Sequence, residues 1–450
     1  MLSPRSQLTA ASLTKPWRYV DPGPRGIYHP ETNPNGVITQ LTSAENQLVQ
    51  ADIADFIRRE VVFSQDVLGY KAVSDGSRRL AGALAERLNE YWRPVEVLSA
   101  GDVAVVGSAT ALHDGLGFCL FEAGEGVLVS RPYYGRFEID FGFKAQVKVV
   151  AVDSTIDTCF LPSVVDEYQA AYDKALSEGI KIRAVMLVNP HNPLGICYPP
   201  ETIRALMTFC QTHKLHLISD EIYALSVFPS NTSTPTYPFT SVLAIEQPGI
   251  DPDLLHVIYG ISKDFALPGL RLGALLTRSA TLKKSLSSIL RFCPPSSTSL
   301  LIASTILENR AFCASFIEAS RTRLAEAYAF TTARLDEMGI RYADGTNAGF
   351  FVFVDLSPFL VDEEGMGREG REQELAGRLL EGGVCVQPGE EHAVEVGWFR
   401  VVYSVERRVL VEGLKRYLFP SFLVLFFSYF FLPRRDGGLV RVLTWGCSYD

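Results

Sequence analysis

From about residue 100 the chain alternates short, continuous apolar runs with amphipathic stretches, and this alternation limits the folds open to it. The runs Val103–Val106, Val127–Val129, Val147–Val152, Ala184–Val188, Leu215–Ser219, Leu255–Tyr259 and Leu272–Leu276 read as strands. Ala109–Phe121, Asp166–Ser177 and Glu201–His213 read as the helices between them. Strands that are apolar throughout, rather than at every second residue, are buried on both faces. Joined by helices, they predict an α/β fold with a mostly parallel sheet covered on both sides. Such sheets bind ligands at the carboxyl ends of their strands. The segments expected there are polar or glycine-rich: Gly107–Thr110, Asn189–Gly195, Asp220–Tyr223 and Gly260–Lys263. A single segment of this kind is an ordinary turn, but four in register indicate a site.

Beyond residue 290 the pattern changes. A long helical stretch from Ser299 to about Met338 precedes strand candidates Gly349–Asp355, Val384–Val386 and Phe399–Tyr403, with a Gly/Glu-rich loop (Asp362–Arg371) and a helix (Glu372–Glu381) between them. This predicts a smaller α+β unit. The expected organisation is an N-terminal arm and part of the small domain (1–60), a large domain (61–290), a small domain (291–417) and an apolar tail (418–450). With 450 residues, 47% hydrophobic and 21% charged, the chain is long enough for two or three domains and has the composition of a globular protein.

The formal net charge of -9 argues against a nucleic-acid partner. Eight cysteines without CxxC spacing read as reduced thiols of an intracellular protein. Cys210, His213 and His216 form the one close set of metal-ligand types, and no second cluster completes a site, so no metal is expected. Residues 1–20 hold Arg5, Lys15 and Arg18 and no acid. A loose arm on a cytoplasmic protein is expected there; the composition also fits a mitochondrial presequence. Leu418–Leu432, dense in Phe and Leu, is shorter than the roughly 20 residues that span a bilayer. It reads as a tail packed on the body rather than a membrane anchor.

Lys263 lies in Gly260–Phe265, just after the strand Leu255–Tyr259. A lysine amine forms an imine with an aldehyde if burial lowers its pKa from the free value of about 10.4. Taken alone, it would read as a surface lysine. Asp220 ends another strand, where a carboxylate can hold a cationic ring nitrogen. Such a pair at about 4 Å is worth roughly 4 kcal/mol at an effective dielectric constant near 20. By itself it would read as a helix cap. Arg271, among small residues in Pro268–Gly273, suits forked contact with phosphate or carboxylate. Ser262 adds a hydroxyl, and the Gly107–Thr110 turn offers a helix N-terminus to an anion. In Asn189–Gly195 two prolines orient the asparagines.

These segments resemble the class I/II aminotransferases of fold type I, pyridoxal 5'-phosphate (PLP) enzymes with a large and a small domain. The similarity is greatest to the aminocyclopropane-carboxylate synthase branch. It rests on NPNGVI (Asn33–Ile38), AEN (Ala44–Asn46), NPHNPLG (Asn189–Gly195), SDEIY (Ser219–Tyr223), SKDFALPGLRLG (Ser262–Gly273) and GWFR (Gly397–Arg400). The resemblance implies that Lys263 carries the cofactor as a Schiff base and is the acid/base at the substrate Cα. Asp220 then pairs with the pyridine nitrogen. Asn192 and Tyr223 hold the phenolic oxygen, while Ser262, Arg271, Ala109 and Thr110 bind the phosphate. Tyr134 stacks on the ring, with the adjacent Tyr133 a rival for that role. Arg400 clamps the substrate carboxylate, and Glu45 and Tyr28 contribute to the substrate pocket. Tyr70 reaches the phosphate of a neighbouring subunit, so a homodimer is implied.

One departure is Gly260, where many relatives have a serine contacting the phosphate. Transamination of an α-amino acid, in specialised metabolism, is the leading expectation. Elimination from Cβ (a carbon–sulfur lyase) and cyclopropane formation by attack of Cα on Cγ use the same chemistry at Cα. A non-catalytic PLP- or amino-acid-binding relative is the reading from another class.

Overall fold

The computed structural model describes residues 2–12, 22–230, 234–246, 250–361, 367–386 and 393–417. The apolar tail from Leu418 onward, residues 13–20 of the arm and residues 362–366 of the Gly/Glu-rich loop lie outside the described residues.

The apolar runs form one sheet: β1 (Val103–Val106), β2 (Gly126–Ser130), β3 (Lys148–Val152), β4 (Ile182–Val188), β5 (His216–Asp220), β6 (Leu255–Tyr259) and β7 (Gly273–Thr277). Its order is β1-β7-β6-β5-β4-β2-β3. β2 to β6 pair in parallel, and β7 runs antiparallel to both β1 and β6. The direction of β7 has a local cause: no α-helix lies between β6 and β7 to carry the chain back across the sheet. The reversal brings the first residue of β7, Gly273, opposite Val106, the last of β1. Segments that follow β1, β4, β5 and β6 and the segment that precedes β7 thus share one edge.

Among the described helices are α1 (Pro4–Ser12), α2 (Gln50–Glu60), α3 (Lys71–Trp92), α4 (Ala109–Leu120), α5 (Phe137–Gly142), α6 (Val164–Ser177) and α7 (Pro200–His213). They continue with α8 (Ala280–Leu290), α9 (Ser297–Glu308), α10 (Arg310–Glu337) and α11 (Arg368–Glu381). Successive residues of the central strands serve opposite layers. Val185, Leu187, Leu217 and Val257 pack with Leu84 and Leu88 of α3, Leu206 of α7 and Leu300 of α9. Ala184, Met186, Ile218 and Ile258 pack with Leu112 of α4, Phe141 of α5 and Leu286 of α8. The period of two and the double burial together explain the continuous apolar runs.

A second core lies around the antiparallel pair β8 (Phe351–Asp355) and β9 (Trp398–Val402). Leu324 and Leu335 of α10, Leu375 and Leu379 of α11, and Ile38 and Leu41 from the N-terminal region close it. Two expectations are corrected here. Val384–Val386 is not a strand; it makes an isolated bridge between Val384 and Ile38. The long helix is two helices, α9 and α10, bent by 89°. Asn309 sits in the bend with φ -85° and ψ 86°, and its side chain accepts the Phe312 amide at 3.0 Å. An asparagine capping the next helix competes with continuation of the previous one. No single described helix is long and apolar enough to cross a membrane.

Candidate active site

The shared sheet edge opens into a cavity of about 540 Å³. Lining it are Ala109 and Thr110 after β1, Asn192 after β4, Asp220 and Tyr223 at and after β5, and Ser262 and Lys263 after β6. Arg271 before β7, Tyr134, Glu45 and Arg400 of β9 complete the set of expected residues it brings together.

Lys263 is half-buried, and its Nζ donates to the Ala44 carbonyl at 2.6 Å. Its pKa is lowered to about 8, first by burial and then by Arg400; Glu45 and Asp220 oppose this, and Arg271 adds to it. A reactive neutral fraction of the amine is therefore present near physiological pH, as imine chemistry requires. Asp220 is buried, with Oδ1 accepting the Ile222 amide at 3.2 Å. Arg400 donates from Nη1 to Asn192 Oδ1 at 2.8 Å and from Nη2 to the Thr42 carbonyl at 3.3 Å. The Phe351 ring lies 5.1 Å from its guanidinium carbon. The guanidinium is thus oriented before any substrate arrives.

The anion cradle depends on close backbone approaches. Ser108 caps α4, its hydroxyl accepting the Ala111 amide at 3.0 Å. A Cβ at Gly273 would lie 2.6 Å from the Ser108 carbonyl carbon and 2.7 Å from the Ala109 nitrogen. β7 can press against this turn only as glycine. Arg271 takes a left-handed conformation (φ 51°) and donates to the Pro268 carbonyl at 3.0 Å. At Gly260 a Cβ would meet the Leu272 carbonyl at 2.8 Å. The backbone here leaves no room for a serine, the residue the resemblance led one to expect. These features fit PLP: a half-buried amine for the aldehyde, an acid for the ring nitrogen, and free amides with an arginine for the phosphate.

Three expected residues fall elsewhere. Tyr70, before α3, is 99% exposed and does not line the cavity within one chain. Tyr28 is buried in the second core, 4.9 Å from the Arg416 guanidinium. It packs there because residues 28–41 complete that core. Tyr133 turns away from the cavity and donates to Glu138 at 3.2 Å, whereas Tyr134 lines it with its ring edge-on to Phe137 at 5.4 Å. The Cys210, His213 and His216 set also separates. His213 meets Gln169 Oε1 at 2.9 Å and His216 meets His256 at 3.0 Å.

Sequence reasoning missed Arg136, Asp140 and His113, which also line the cavity. For His113 a signal existed: it stands four residues after Ala109, on the same face of α4. It also missed two buried carboxylates next to the reactive pair. Glu221 is raised to about 7 by burial while accepting from Ser219 and Val242, both at 2.9 Å. Asp264, likewise raised to about 7 by burial, accepts from Leu225 and Tyr259, both at 3.0 Å. Each ties its neighbour in sequence to the scaffold.

Comparison with known proteins gives this site a family. Residues 64–416 match Aminotransferase class I and II. The chain is 31% identical over 401 residues to 1-aminocyclopropane-1-carboxylate synthase 2 of Cucurbita pepo, covering 86% of this chain and 78% of that protein. It is 30% identical over 423 residues to probable aminotransferase sirI of Leptosphaeria maculans, covering 92% of this chain and 97% of that one. Among solved structures, an aspartate aminotransferase double mutant of Thermus thermophilus superposes with a TM-score of 0.68 at 21% identity, over 93% of this chain and 98% of that one, which shows the shared fold. The chain belongs to the aminotransferase class I and II family of PLP-dependent enzymes, transferases and lyases built on fold type I.

Proposed function

We propose that this enzyme is an aminotransferase of α-amino acids, and that the two chains of a homodimer share its sites. The observation that carries the reading is the placement of Lys263, Asp220 and Arg400 around one cavity, with the lysine lowered to about 8 by burial and by Arg400. Bound PLP supplies an aldehyde for the amine and an electron-withdrawing ring that stabilises negative charge at the substrate Cα.

The residues of the chain do the rest. Arg400, pre-oriented by Asn192 and the Thr42 carbonyl, grips the substrate carboxylate and fixes which bond at Cα faces the lysine. Lys263 would take the proton from the substrate Cα as the free amine and would hold it, as the ammonium, for return to the reacting centre. Asp220 holds the ring nitrogen in its protonated form. Tyr223 and Asn192 hold the phenolic oxygen. Ser262, Arg271 and the α4 amides of Ala109 and Thr110 hold the phosphate. Tyr134 covers the ring, and Glu45 faces the substrate side chain. Tyr70, exposed at the surface of one chain, serves the partner's phosphate.

The test is product analysis of the purified holoenzyme with an amino-acid panel and a 2-oxo acid acceptor. A keto acid formed in step with a new amino acid supports transamination. Ammonia release without an acceptor would replace it with elimination. The names of the synthase relatives favour a second reading, ring closure between Cα and Cγ; a cyclic amino acid formed without acceptor would establish that instead.

A further inference from the structure

Behind Asp220 lies a buried charge cluster that none of the roles above uses. His113 of α4 stands between two carboxylates. Its Nδ1 is 2.9 Å from Asp140 Oδ2, and its Nε2 is 3.6 Å from Asp220 Oδ2. The imidazole is buried, and Nε2 has no partner within hydrogen-bond distance. The rings of Phe137 and Phe141, which flank Asp140 on α5, pack beside the imidazole with centroids 5.2 and 5.6 Å away. Asp114, the next residue on α4, is engaged by Lys144 at 2.7 Å. The remaining charged groups of the cavity are Lys263, Arg271, Arg400, Arg136 and Glu45. Burial works against a charged imidazole, yet the close contact with Asp140 and the negative charges of Asp140 and Asp220 outweigh it and raise His113 to about 9.

Charge counting then sets a constraint. Asp220 has to balance a protonated ring nitrogen, but an imidazolium beside it already claims its negative charge. Asp140 supplies the second carboxylate. Two carboxylates and one imidazolium leave one net negative charge facing the ring. Building on the PLP reading above, we propose that His113 and Asp140 are positioning residues that preserve the negative charge Asp220 presents to the cofactor ring nitrogen. Without Asp140, one carboxylate faces two cations, and one of the two protons is lost. The bland alternative is an ion pair that only ties α4 to α5; it predicts no effect on the ring nitrogen of a folded variant.

The test uses full-length protein labelled at histidine Cε1 and PLP labelled with ¹⁵N in its ring. In the parent apoprotein the His113 signal, assigned by its loss in His113→Asn, is expected to remain that of an imidazolium through pH 8. A neutral His113 at pH 7 overturns the proposal with no variant needed. In loaded Asp140→Asn the midpoints of His113 and of the ring nitrogen are expected to fall by at least two units together. Asp140→Glu should restore most of that fall. In Asp140→Asn/His113→Asn, where Asp220 again faces a single cation, the ring nitrogen is expected to regain its parent titration. Unchanged midpoints in a variant with parental melting temperature overturn the proposal. If labelled PLP fails to bind the parent at all, the PLP reading falls, whereas the His113 titration of the apoprotein is still read.

Discussion

Lys263 combines a lysine's nucleophilicity with an environment that removes its proton. With a pKa near 8, its neutral fraction at pH 7.5 is about a quarter; at the free value it would be on the order of 0.1%. The depressed value places the change in charge at about pH 8, with the reactive neutral form above it. The rate of PLP incorporation into the apoprotein should therefore rise about tenfold per pH unit below 8 and level off above, as followed by the growth of visible absorbance. A rise continuing to pH 10 would show an ordinary solvated lysine. Lys263→Ala should abolish the visible band and lower turnover by about 10²–10⁴-fold. Asp220→Asn removes a charge interaction worth roughly 4 kcal/mol at 4 Å, so kcat should drop on the order of 10³-fold while the fold survives. These two residues were legible in the sequence because each ends an apolar run or lies just after one. Gly260 was legible only as a departure; that its Cβ would strike the Leu272 carbonyl depends on a strand distant in sequence.

At the scale of elements, the cradle is a contact between the β1–α4 turn and the antiparallel β7. Gly273→Ala drives a Cβ into the Ser108–Ala109 backbone. Titration with PLP should show affinity at least tenfold weaker, with stability reduced by about 1–3 kcal/mol. Equal affinity would mean that the turn does not need this contact. Asn309→Ala removes the cap at the α9–α10 bend and should cost about 1 kcal/mol in a urea titration, with PLP affinity unchanged. The bend was hidden in the sequence because Glu308–Arg310, polar but without glycine or proline, reads as the exposed face of one continuing helix. The direction of β7 was hidden because strand polarity leaves no mark on a five-residue apolar run. His113 and Asp140 were hidden for a related reason: they lie 27 positions apart on two helices, and only the packing of α5 on α4 brings them together.

For the molecule as a whole, the second core draws on Ile38 and Leu41 as well as on residues 324–417, so the start of the chain is built into its end. The proposal of shared sites can be tested at Tyr70, which is fully exposed in one chain. Lys263→Ala and Tyr70→Ala proteins, each impaired alone, should recover activity when refolded together, because a hybrid dimer has one site with both residues native. Absence of recovery in a demonstrated hybrid would make each site self-contained. The apolar runs and the polar segments beside them determined the layered α/β architecture and placed Lys263, Asp220, Asn192, Tyr223 and Arg271 at one sheet edge, since burial and chemical type are written residue by residue, while Arg400 was named only through the resemblance of GWFR to the family. Tertiary structure alone decided the rest: the direction of β7, the break at Asn309, the outward face of Tyr70 and the placing of His113 between Asp140 and Asp220. Those depend on which surfaces meet, and such meetings follow from the energy of the assembled chain rather than from any local stretch of it.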